Sequence, residues 1–129
     1  MSQLWLQREV AESVGLGPEL DFPRYVQYAM ICDRFTDSET VMLQRHEYVE
    51  DDESGWFAGC LDAEHEHDQT SVHLCTLYEL AVMTPGIVGY LALPPGCTVT
   101  LGEGAPSIWR GDAALEIRSG SLLASMFGD

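Results

Sequence analysis

Five residues of the kinds that ligate metals, Cys60, His65, His67, His73 and Cys75, fall within sixteen positions of this chain. Imidazole and thiolate together suit zinc, and His65 and His67 would project to the same side of an extended segment. Their spacing fits no standard zinc signature, because CLDAEHEHDQTSVHLC contains no CxxC, HExxH or HxxxH. A solvated polar loop is the plainer reading of the same residues, with histidines that titrate at about pH 6 and could make a contact pH-sensitive. A metal-dependent enzyme or sensor using this cluster stays open as an alternative, and no cofactor is expected.

Other chemistry has less behind it. A serine nucleophile lacks its GxSxG turn, and the cysteines sit in apolar surroundings where thiols are inert. Carboxylates are abundant between residues 47 and 68, but glycosidase chemistry needs two acids at a fixed separation in a cleft, which abundance does not supply. The Gly-rich LGEGAPS turn lacks the GK[ST] ending of a phosphate loop, and the chain has no lysine at all. The expectation is a protein that binds and does not catalyse.

What it would bind is written in its charge. The net charge is -15, with 21 acids against six bases, all arginine. From His46 to Trp109 there is no base, yet that stretch holds eleven carboxylates and all four histidines. A field of one sign repels nucleic acid and anionic membranes and attracts basic proteins. Nine of the eleven carboxylates lie between residues 47 and 68. The candidate interface is therefore Glu47, Glu50, Asp51, Asp52, Glu53, Asp62, Glu64, Glu66 and Asp68. Trp56 joins them as an aromatic anchor, on which a partner arginine could stack, although the Gly-Trp-Phe sequence also reads as the start of a core strand.

These residues need a scaffold, and 129 residues with 46% hydrophobic content suffice for one domain spanning 1–129. Residues 2–15 read as a helix, with Leu6, Val10 and Val14 at helical spacing, ended by GLGPELDFP. Tyr25–Ile31 and Val41–Val49 read as strands forming a hairpin, and Trp56–Leu61 as a third strand after the acidic turn VEDDESG. Residues 63–71 read as a loop and Leu74–Met83 as a helix ended by Thr84, Pro85 and Gly86. Cys97–Leu101 and Ala114–Ile117 close the series as short strands. Strands and helices without regular alternation imply an α+β domain, an antiparallel sheet of short strands packed with two or three helices.

No run reaches the ~18 apolar residues of a membrane span, and no signal sequence is visible at the amino terminus. A cytoplasmic location is expected, with Cys32, Cys60, Cys75 and Cys97 as buried free thiols.

From about Met30 to Leu101 the chain resembles the Imm33-like immunity protein family. The resemblance is carried by Arg45 and Glu47 in LQRHEY, by EDDESGW from Glu50 to Trp56 with Gly59 after it, and by LYELAVMTPGIVGYLALPPG. The chain departs from the family pattern after Gly59, where Cys60 and Leu61 precede Asp62. Residues 30–101 thus form the family-like core, with the helix at 2–15 and a C-terminal extension outside it. The resemblance implies an intracellular bacterial protein of a polymorphic toxin system that binds and blocks a cognate toxin. An acidic face fits a basic toxin, because complementary charge speeds encounter. An acidic interaction subunit unconnected with toxins is the remaining alternative.

Overall fold

A computed structural model of the chain describes residues 3–35, 39–47, 51–61, 72–102 and 104–127. Helix α1 (Gln3–Ser13) is followed by a 3-10 turn at Gly17–Glu19 and strands β1 (Tyr28–Cys32), β2 (Val41–Arg45), β3 (Glu53–Cys60) and β4 (Val72–Thr76). Helix α2 (Leu77–Met83) and a 3-10 segment at Pro85–Tyr90 lead to β5 (Cys97–Leu101), β6 (Ser107–Arg110), β7 (Ala113–Leu115) and helix α3 (Leu122–Phe127). This is an α+β fold built on one seven-stranded sheet in the order β4-β1-β3-β2-β5-β6-β7.

The sheet is mixed. Every neighbouring pair is antiparallel except β1 with β3, which run parallel. The hairpin expected between β1 and β2 is therefore corrected, since β3 lies between them and β2 instead forms its hairpin with β3. The helix expected over 74–83 is also corrected. Its first residues belong to β4, and the helix starts at Leu77 behind a capping box. The Thr76 hydroxyl accepts from the Glu79 backbone N–H at 3.1 Å, and the Glu79 carboxylate accepts from the Thr76 backbone N–H at 3.0 Å. Two donors that a helix start leaves unpaired are satisfied by this exchange.

Side chains alternate across the strands. On one face Ala58, Leu43, Val99 and Ile108 follow one another across four strands in register, all buried. They pack in one cluster with Val10 and Ala11 of α1, Val14 just after it, Ile87 and Tyr90 of the 3-10 segment, Leu91 and Leu93 beyond that segment, and Leu123 of α3. Burial pushes the Tyr90 phenol up to about 12, so it stays neutral in this core. On the opposite face another row runs across all seven strands, Leu74–Met30–Phe57–Gln44–Thr98–Trp109–Ala114. Leu74 is 65% exposed, Trp109 40% and Met30 39%, so no described residue covers this side of the sheet as the helices cover the other.

All four cysteines are free and buried. Burial raises the Cys32, Cys75 and Cys97 thiols, which makes them poor nucleophiles. No helix among the described residues is long and apolar enough to cross a membrane.

The cap gives a measurable pH dependence. Hydrogen bonds from the Thr76 backbone N–H and hydroxyl hold the Glu79 carboxyl below its ordinary 4.5. A depressed folded value means that the contribution is complete above the unfolded value and disappears as pH falls through the folded one. Thr76→Ala should cost about 1 kcal/mol in urea denaturation at pH 7. The difference from the unsubstituted protein should shrink as the pH is lowered below the ordinary carboxylate value.

Candidate functional site

Leu43 and Arg45 alternate along β2 and face the same way, which carries a guanidinium into the core side of the sheet. Arg45 is 2% exposed and Trp56, its partner in register on β3, 1%. A buried cation is tolerable only if its donors are satisfied. Arg45 Nε donates to the Ser54 carbonyl at 2.9 Å, and Nη1 donates to the carbonyls of Asp21 at 2.7 Å and Leu93 at 2.9 Å. Its Nη2 lies 3.6 Å from the Asp21 carboxylate, and the guanidinium carbon is 5.7 Å from the centroid of the Trp56 ring. The Trp56 indole N–H donates to the Leu91 carbonyl at 2.8 Å. The Gly96 N–H closes the cluster on the Arg45 carbonyl at 2.7 Å.

Ser54 and Gly55 complete the frame. The Ser54 hydroxyl donates to the Tyr28 carbonyl at 2.8 Å and accepts from the Trp56 N–H at 3.1 Å, which ties β3 to β1. Gly55 has φ +86°, and a Cβ there would stand 2.2 Å from the His46 carbonyl oxygen. Only glycine fits at that point.

This frame holds out an acidic turn. The Asp51 carbonyl accepts from Arg24 Nη2 at 2.9 Å and Gln27 Nε2 at 2.8 Å, and the Asp52 carbonyl accepts from the Tyr28 N–H at 2.7 Å. With their backbone braced from below, Asp51, Asp52 and Glu53 are exposed, as is Glu47 just past β2. Beside them on the open face is a cleft of about 340 Å³. Its walls include Met30, Phe57 and Leu74 on the apolar side and His46, Glu47 and Glu53 on the polar side. A larger cleft of about 770 Å³ lies between α1 and the segment before α3, where Glu9 and Glu12 face Arg118, so its field is mixed.

Of the expected interface, then, Glu47, Asp51, Asp52 and Glu53 come together at one surface. Glu50, Asp62, Glu64, Glu66 and Asp68 lie outside the described residues, as do His65 and His67. Trp56 is corrected as an anchor, because its ring is interior and spends its N–H on Leu91. The metal cluster is not assembled from what is described. Cys60 and Cys75 sit on β3 and β4 with β1 between them, two strand spacings or roughly 10 Å apart laterally and further offset along the strands, since Cys75 pairs with Ala29 and Cys60 lies beyond Ala58, the partner of Ile31, while zinc–ligand bonds are ~2 Å. His73 is exposed on β4, and no described group of three or more His, Cys, Asp and Glu is placed to hold a metal.

Sequence reasoning missed Tyr28, Met30 and Leu74 as exposed residues. The signal was present in YAMIC, where apolar residues occupy both faces of a strand whose second face then has no helix to meet.

Some of the residues that carried the family resemblance, Arg45, Ser54, Gly55, Trp56 and the turn around Leu93 and Gly96, belong to the Arg45 frame. The Imm33-like domain matches residues 6–111. The chain belongs to the Imm33-like family. The match takes in most of α1 and extends through β6. No curated protein and no solved structure matches the chain. The family's name suggests an immunity protein.

Two substitutions test the frame. Arg45→Met strands the carbonyls of Asp21, Ser54 and Leu93, and thermal and urea denaturation should show a loss of about 3 kcal/mol or more. Gly55→Ala should cost roughly 2 kcal/mol or more, since it adds a backbone clash to a left-handed φ. Gly96→Ala is the comparison. Its φ of +98° is equally left-handed, but its added Cβ meets nothing within 4 Å, so it should cost clearly less.

Proposed function

We propose that this protein is an immunity protein that neutralises a cognate toxin, and that Glu47, Asp51, Asp52 and Glu53 form the face that meets a basic toxin surface. The observation that carries the reading is the braced turn, whose carboxylates stand in solvent on a backbone fixed by Arg24, Gln27 and Tyr28. Ordering costs that a mobile acidic loop would incur on binding are largely absent here.

Electrostatics strengthens the reading. Arg45 faces the core and Arg110 is paired with Glu19, whose carboxyl it holds below the ordinary range. At the turn itself the four carboxylates are offset by Arg24, which binds the Asp51 carbonyl, and the net charge of the chain is -15. Such a field raises encounter rates with a basic partner and weakens as salt screens it. The proposed setting is the bacterial cytoplasm, where buried thiols remain reduced.

Co-expression with the product of the adjacent gene, followed by binding kinetics on the purified pair, tests this. Asp51→Lys with Asp52→Lys should slow association about tenfold or more and flatten its dependence on salt. Unchanged affinity and unchanged salt dependence would remove the acidic turn from the interface.

A further inference from the structure

The cleft beside the acidic turn has a shape and lining that the steering role does not explain. Its floor is Met30, Phe57 and Leu74, which are neighbours in register across β1, β3 and β4, and its rim carries Glu47 and Glu53. Tyr28 adds a second aromatic ring and is 43% exposed. No arginine lines the cleft, and His46 is on its polar side.

An exposed apolar patch with one sign of charge at its edge marks a binding site whose occupant has an apolar body and the opposite charge. We infer that this cleft takes an arginine side chain of the partner, with its stem on Met30 and Leu74, its guanidinium plane against Phe57 or Tyr28, and its donors on Glu47 and Glu53. The inference rests on the toxin-binding reading and names the anchor within that interface. Arginine fits better than lysine for two reasons. A planar guanidinium stacks on aromatic faces and offers a fork to two carboxylates, whereas an ammonium is a compact, strongly hydrated charge. A second copy of this chain is a poor occupant, because each copy carries -15 and the six arginines include one that is buried.

Steering and anchoring then belong to different residues. Asp51 and Asp52 project from the turn outside the cleft lining and act over distance. Glu47, Glu53, Met30 and Leu74 act only on contact, where water is excluded and the interaction is least screened.

The test uses the intact protein and two probes, N-acetyl-arginine amide and N-acetyl-lysine amide, followed by amide shifts in NMR titrations. Arginine should give saturable shifts confined to residues around Met30, Glu47, Glu53, Phe57 and Leu74, at least threefold tighter than lysine. Glu47→Gln with Glu53→Gln, and separately Leu74→Ser, should each weaken the arginine probe several-fold. Asp112→Asn with Glu116→Gln, exposed carboxylates outside the cleft lining, should leave it unchanged. Leu74 is 65% exposed, so its replacement leaves the core intact. Shifts spread over all acidic residues, or equal binding of the two probes, overturn the inference. The same follows if toxin affinity responds to the Asp51 and Asp52 reversals and not to the cleft variants, a result that leaves the immunity reading standing.

Discussion

A single buried cation organises this molecule. Desolvating a guanidinium is so unfavourable that Arg45 can lie on the core face only if the surrounding chain turns its carbonyls toward it. Asp21 comes from the segment after α1, Ser54 from β3 and Leu93 from the segment before β5, so three distant parts of the chain are fixed to one side chain. The Trp56 ring lies beside the cation and reaches the Leu91 carbonyl, which joins the same segments a second time. The entry angle of β3, and with it the position of the acidic turn, depends on this cluster.

That dependence separates two kinds of residue that stand next to each other in the sequence. In EDDESGW the acids described face solvent and the last three residues face inward or fit a backbone contact. The inward ones are fixed by the buried frame they form. The outward ones meet the partner in the proposed function, and partners differ. The family match identifies the domain and does not name a partner.

Much of the fold could be read from local pattern. The helical spacing of Leu6, Val10 and Val14 marks α1, and the alternation in Val41–Arg45 and Cys97–Leu101 marks two central strands. Pairing was not legible, because nothing local says that β3 passes between β1 and β2 and runs parallel to β1. The β4 to α2 boundary was legible in principle. Thr76 and Glu79 have capping-box spacing, and that signature sets the helix start at Leu77 and leaves VHLCT as a strand. Strand β6 and helix α3 are short and flanked by glycines, so their patterns are too brief to stand out. Among site residues, the acidic turn was visible as composition. The apolar cleft required knowing that one face of the sheet lacks a helical layer, and the interior role of Trp56 required knowing the position of Arg45.

Side-chain hydrogen exchange measures the frame most directly. The Arg45 Nε–H and the Trp56 indole N–H each donate to a buried carbonyl, and both should exchange only through opening close to global unfolding, with protection matching the slowest amides of β2 and β3. Exchange of either group at the rate of a solvent-exposed side chain, in a protein that is otherwise folded, would contradict a fold organised around a buried arginine.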